Sequence, residues 1–236
     1  MPTLTYPPHQ KPIIQFRRTY LAQGSVLCRV FRNDQPHGCF DWNPRIPQRP
    51  KYGGRFDRTV KAESLYLYGA LGRDNGGRDD KMKKNAAFIA LVETLRQKFL
   101  VPPGADTERS IPQRELDCRS MQFFTVRRAV TLASLDTPSG IRRLNGSEEI
   151  LNSGNRKYTQ SWGSYWQNEL CGRASGLAYN STRATIGKGH SFVLWKNGIS
   201  DVGSIFLPLS AELALMSPKG LTIVERVLDQ YGVSIL

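Results

Sequence analysis

Residues 64–99 read SLYLYGALGRDNGGRDDKMKKNAAFIALVETLRQKF, and two periods of side-chain placement meet inside this one stretch. Ser64-Leu65-Tyr66-Leu67-Tyr68 is aromatic and apolar enough for a buried strand. Gly72 to Lys84 follows, rich in Gly, Asp, Lys and Arg with almost nothing to bury, and reads as an exposed loop. After it Asn85 offers the short polar side chain of a helix N-cap, and Phe88, Val92, Leu95 and Phe99 recur at spacings of four, three and four. The expectation is a helix to about Phe99, stopped by Pro102-Pro103.

Upstream, Val26-Leu27-Cys28-Arg29-Val30-Phe31 reads as a strand, and the stretch from there to Tyr52 holds Pro36, Pro44, Pro47 and Pro50, so it reads as loop. Gly53-Gly54-Arg55-Phe56 follows, where paired glycines let a ligand approach the main chain closely. Prolines at 2, 7, 8 and 12 make the start of the chain a poor candidate for regular structure, and residues 1–25 are read as an N-terminal arm. Downstream, Met121 to Ala133 and Phe192 to Trp195 look like strands, Ser175 to Asn180 like a shorter one, and Lys157 to Leu170 like a helix. Thr222 to Tyr231 sets Ile223, Val227 and Tyr231 on one helical face, with Val224 and Leu228 beside it. There is no internal repeat. The order of elements suggests α+β, or mixed α/β with a curved sheet, rather than a regular parallel array.

A chain of 236 residues is long enough to bury one good core, and its 39% hydrophobic and 22% charged residues are those of a folded protein. Lys and Arg number 33 against 20 Asp and Glu, a net charge of +13 that draws anionic partners at long range or simply solvates the surface. No Lys/Arg block is long enough to look like a nucleic-acid tail. Cys28, Cys39, Cys118 and Cys171 form no C-x-x-C pair and have no histidine at zinc-finger spacing, so no metal is expected and the thiols are read as reduced. The first residues, MPTLTYPPHQKP, lack the continuous apolar stretch of an export signal, and no window approaches the roughly 18 apolar residues of a membrane span. The expectation is a soluble, cytoplasmic protein.

The common catalytic motifs, G-x-G-x-x-G, G-x-x-x-x-G-K-[ST], H-E-x-x-H and G-x-S-x-G, are absent. His9, His37 and His190 are read as structural or surface residues. What remains is Arg29 on the first strand, Arg55 after the paired glycines, Tyr66 on the next strand, Glu93 on the helix and Ser181 just after Gly176-Leu177-Ala178-Tyr179-Asn180. This set resembles the RES family, named for its Arg, Glu and Ser. The matching text is GGRFDR at 53–58, SLYLYGAL at 64–71, AFIALVET at 87–94, TQSWGSYW at 159–166, GLAYNSTR at 176–183 and FVLW at 192–195. Tyr66 and Glu93 stand 27 positions apart, farther than the family keeps them, and an insertion at Gly72 to Lys84 accounts for the difference.

The resemblance implies an α+β, ADP-ribosyltransferase-like fold, two small curved β-sheets forming a cleft with flanking helices. It also implies an RES-like NAD-binding domain over 26–198 and a C-terminal extension, 199–236, packed on it. NAD is then the substrate, with no metal. The bacterial toxin members of the family degrade NAD by cleaving the nicotinamide–ribose bond and so arrest growth, and a small cognate antitoxin protein is the expected partner; homo-oligomers are also compatible with it. In that frame the catalytic set is Arg55, Glu93 and Ser181. Arg29, Arg55, Tyr66 and Ser181 bind the dinucleotide: Arg29 and Arg55 at the pyrophosphate, Tyr66 on the nicotinamide ring or its ribose, and Ser181 at the amide or a ribose oxygen. Guanidinium groups suit pyrophosphate because their planar fork donates several hydrogen bonds and keeps its charge. A carboxylate suits the ribose because positive charge builds on the sugar as the bond breaks.

Each residue has an ordinary reading as well: Tyr66 as core packing, Glu93 as a rim residue beside Val92 on the packed helix face, Arg55 as a solvated turn residue, Ser181 as a turn or cap hydroxyl. Two other functions fit the same chain. One is an ADP-ribosyltransferase that modifies a protein or nucleic acid, and the other is a non-enzymatic basic module on nucleic acid, against which no aromatic–cation recognition pattern appears. Water and inorganic phosphate are both open as acceptors.

Overall fold

Strand structure starts inside the proline-rich N-terminal segment. The computed structural model describes residues 6–8, 11–33, 64–70, 79–95, 109–153, 155–180, 189–199 and 201–236. Arg18–Leu21 (β1) pairs antiparallel with Val130–Ser134 (β6). Ile13 is buried among the aromatic residues of a later helix. The segment read as an arm through residue 25 is thus part of the domain from about Ile13 onward, since Ile13 and Leu21 give it apolar anchors that outweigh the prolines before them.

The remaining strands are Val26–Arg32 (β2), Ser64–Ala70 (β3), Arg109–Ile111 (β4), Arg119–Val126 (β5), Gly176–Asn180 (β7), Gly189–Trp195 (β8), Phe206–Pro208 (β9), Leu213–Ala214 (β10) and Val233–Ile235 (β11). Nine of the eleven described strands form one sheet in the order β1-β6-β7-β8-β3-β2-β5-β10, with β9 also on β5, while β4 and β11 make a separate parallel pair. The stretch from Met121 to Ala133, expected as one strand, is two, because Arg127-Arg128-Ala129 interrupts it.

That interruption fixes the shape of the sheet. Four strands lie between β5 and β6, which in a flat sheet would separate them by about 24 Å at the usual spacing. Three linking residues span about 14 Å at most, so the sheet must curl until its two ends approach. Leu21, Leu27, Phe124, Val126, Leu132, Ala178, Phe192, Leu194 and Phe206, drawn from both ends of the order, form one cluster on its inner face.

The helices among the described residues are Asp79–Leu95 (α1), Gln113–Asp117 (α2), Pro138–Arg143 (α3), Glu149–Asn152 (α4), Arg156–Glu169 (α5) and Pro218–Tyr231 (α6). They cover the outer face in two clusters. Tyr158, Trp162 and Trp166 of α5 pack on Ala133, Leu177 and Val193, and α1 with α6 packs on Val26, Cys28, Met121 and Phe123. The architecture is α+β, as expected.

α1 begins at Asp79, so residues 79–84, read as loop, are helical and Asn85 lies inside the helix rather than capping it. Two aspartates at its start favour the positive end of the helix dipole, and Lys-Met-Lys-Lys are good helix formers that need no burial. α5 starts at an Asn155 cap whose Oδ1 accepts the Tyr158 N–H at 3.2 Å. α6 starts at a Ser217 cap followed by Pro218 and ends at Gly232 in the left-handed region, φ 59°. Its buried residues are Val224, Val227 and Leu228, with Ile223 and Tyr231 half-buried. The C-terminal extension is bound to the rest of the fold through β9 and β10 on β5, β11 on β4, and α6 on α1.

Candidate functional site

Side chains alternate across a strand, so the placement of Arg29 follows from its neighbours. Val26 and Cys28 of β2 face the helices of the outer cluster, whereas Leu27 belongs to the inner cluster and Phe31 packs against it. Arg29 therefore faces inward, 4% exposed, opposite Gln122 of β5. Ser120 and Gln122 are buried on the same inner row, and Gln122 Nε2 donates to the Ser210 carbonyl at 3.0 Å. A guanidinium keeps its charge when buried, so this row is a polar seam in an apolar interior, and Arg29 has interaction partners there.

Glu93 comes to the sheet from the other side. Every residue of α1 from Ala86 to Val92 is buried, and the helix packs against β2, β3, β8 and α6. Glu93 continues that run at 8% exposure, and it too has interaction partners. Carboxylates are almost never this buried unless paired.

β3, which carries Tyr66, lies between β2 and β8, and Tyr66 pairs with Val193. Cys28 of β2 pairs with Tyr68, so Arg29 and Tyr66 sit on adjacent strands within a few residues of each other. Ser181 and Arg55 lie outside the described residues. Ser181 directly follows Asn180, the last residue of β7, and Asn180 and Gly69 both pair with His190, on either side of β8. The fold thus brings the elements bearing Arg29, Tyr66 and Glu93 together and points the end of β7 at the same edge. It does not put Arg29 and Glu93 on one face of the sheet, because a period of two sends Arg29 away from the helix that Cys28 touches.

At this edge stands a pair that no spacing in the sequence announces. His190 Nδ1 lies 3.5 Å from Asp136 Oδ1, an ion-pair contact too long for a hydrogen bond. Ser134 Oγ donates to Asp136 Oδ2 at 3.0 Å, Asn180 Nδ2 donates to the Asp136 carbonyl at 3.4 Å, and the His190 ring stacks on Phe192. On the outer face Ser191 is fully buried, and its Oγ has no hydrogen-bond partner. α5 adds buried Thr159 and Gln160 within the TQSWGSYW segment and buried Gln167 directly after it. Gln160 and Gln167, seven apart and so close to one face of a helix, were the available signal.

Among the described residues no group of His, Cys, Asp and Glu is arranged to hold a metal ion, and no helix is long and apolar enough to cross a membrane. No family model matches the chain, and no curated protein matches it. Among solved structures it is similar to the crystal structure of the M. tuberculosis MbcT-MbcA toxin-antitoxin complex, at a TM-score of 0.49 and 12% sequence identity, over 79% of this chain and 85% of that chain.

Proposed function

We propose that the chain is an NAD-degrading enzyme of RES type that cleaves the nicotinamide–ribose bond, with growth arrest as its consequence and a small antitoxin protein as its partner. The observation that carries this reading is Glu93, a carboxylate held at 8% exposure on a helix packed against the strands of Tyr66 and Arg29. A carboxylate is tolerated at this depth only when it is paired, and one kept in an otherwise apolar run is a functional-site candidate, which supports this reading.

In this reading Glu93 faces the nicotinamide ribose. As the C–N bond breaks, its electron pair goes to the ring nitrogen, nicotinamide leaves neutral, and positive charge grows on the sugar opposite the carboxylate. Arg55 holds the pyrophosphate, Tyr66 lies along the nicotinamide or its ribose, and the Ser181 hydroxyl orients the amide or a ribose oxygen. Arg29, on the inner face, supports β2 from behind rather than touching the dinucleotide. Water or inorganic phosphate then captures the sugar at the bond's former position.

The test is to incubate the full chain with NAD, with and without phosphate, and to follow nicotinamide release together with the sugar product. Loss of NAD that disappears in Glu93→Gln, with an unchanged circular-dichroism spectrum, is the expected result. Stable NAD with the wild-type protein sinks the reading. Label from NAD retained on a macromolecule turns it into an ADP-ribosyltransferase.

A further inference from the structure

The opposite end of the parallel strands β6 and β7 carries a second concave site. β7 is five residues long, so its start lies about 16 Å from the edge where Ser181 follows its end. A cleft of about 380 Å³ opens there between the β5–β6 turn, the α5–β7 turn and the residues after β8, lined by Arg128, Thr131, Arg173, Ser175, Gly198 and Ile205 among others. Its walls are tied together: Ser175 N–H donates to the Thr131 carbonyl at 2.9 Å, Ser175 Oγ to the Gly198 carbonyl at 3.1 Å, and Arg127 N–H to the Ile205 carbonyl at 2.7 Å. A Cβ on Gly198 would stand 2.7 Å from Ser175 Cα, so a glycine keeps two walls in contact.

The charge in this cleft has one sign. Among the described residues that line it, none is a carboxylate. Arg173 donates to the carbonyls of Ile13 and Ile14 and lies over the Phe16 ring, partners that fix the guanidinium without neutralising it. Glu169, the acid nearest in sequence, is turned to the Ile13 amide instead. Arg128 is exposed and has no hydrogen-bond or ion-pair partner among the described residues. A braced cleft lined by like charges focuses its field on an anion, and a free guanidinium supplies a forked donor matched to a phosphate. The volume falls at the small end of the range for ligand sites, the size of a phosphorylated sugar rather than a dinucleotide.

We propose that this cleft is a second ligand site, separate from the candidate NAD site, that takes a phosphate group, free or as the monoester of a small molecule, with Arg128 as its anchoring residue. The site does not depend on the NAD reading, since none of its residues belongs to that set. Backbone amide NMR tests it on the full chain, titrating inorganic phosphate and, separately, ribose 5-phosphate at an ionic strength held constant with chloride. Saturable shifts at Thr131, Gly172, Ser175 and Gly198, weakened about ten-fold or more in Arg128→Gln, are expected from the loss of a charge-assisted contact. Tighter binding of the sugar phosphate assigns the site to an ester, and equal binding to free phosphate. Absent saturation, identical shifts with chloride alone, or shifts unchanged in Arg128→Gln overturn it. Arg128 lies exposed in a turn, and the unshifted remainder of the spectrum reports that the variant is folded.

Discussion

His190 and Asp136 meet at 3.5 Å although 54 residues separate them, and together they tie the start of β8 to the segment that leaves β6. Asp136 accepts the Ser134 hydroxyl with its other oxygen. Replacing Asp136 with Ala removes the acceptor of the buried Ser134 hydroxyl, which should cost about 1–3 kcal/mol of stability. Urea unfolding measures this, and an unchanged midpoint would show the pair to be energetically idle.

Gly176 opens the GLAYNSTR segment, and an added Cβ would collide with the Val193 carbonyl across β7 and β8. The collision is with backbone in the middle of a sheet, so the neighbour cannot rotate away. Gly176→Ala is expected to lose roughly 1–3 kcal/mol, in the range of overpacked core positions. A variant as stable as wild type in thermal melts would mean that the two strands are farther apart than described.

Much of the fold was readable because its strongest signals are local. β2, β3, β7, β8, α5 and most of α6 follow from apolar runs and their periods, and they appear where the sequence puts them. The misreadings share a cause, which is tertiary context. A proline-rich start hid Ile13 and Leu21, whose burial draws that segment into the domain. A polar run hid the first turns of α1, which need only helix-forming residues and not an apolar face. Strand-like runs on both sides hid the break at Arg127-Arg128-Ala129, and with it the curl of the sheet. For the site, residue types and chain order nominated Glu93 and Tyr66, but which face a strand residue takes depends on what covers each face. Arg29 could not be assigned until Cys28 was seen under α1, and Asp136–His190 has no signature in spacing at all.

Arg173 holds the N-terminal segment to α5 and the start of β7, through the Ile13 and Ile14 carbonyls and the Phe16 ring. Tyr165 adds a second tie, its hydroxyl donating to the Lys11 carbonyl at 2.6 Å. Arg173→Ala should release residues 11–16 while leaving the sheet folded, with a global loss of only about 1–2 kcal/mol. Amide hydrogen exchange should rise at Ile14 to Phe16 and stay slow at Leu132 and Val193. Equal acceleration in both places would mean that the segment is not a separate unit.

Burial raises the hydroxyl pKa of Tyr158 and of Tyr165 above the ordinary value of 10.0. The folded state therefore holds these protons more tightly than the unfolded chain does. The resulting stability is fully present below pH 10 and is lost as pH rises through the folded-state values. Urea midpoints should thus fall steeply above pH 10 and less steeply in a Tyr158→Phe, Tyr165→Phe double variant. Parallel curves for the two proteins would assign the alkaline loss to other groups.

Arg29 and Arg55 carry the same charge but are expected to fail in different ways. Arg29 is enclosed on the inner face beside Gln122, so Arg29→Met removes a buried charge from groups arranged around it and should destabilise the fold by about 3–5 kcal/mol. What activity survives in the folded fraction should keep its KM for NAD, because the guanidinium stands behind the strand. Arg55→Met should do the reverse, raising KM about ten-fold or more through the lost pyrophosphate contact while the melting temperature stays put. Arg29→Lys sharpens the contrast, since it restores the charge without the fork and should recover part of the stability with KM still unmoved. A raised KM in either Arg29 variant at full stability would place that side chain on the dinucleotide after all, and the inner face of the sheet would then belong to the site.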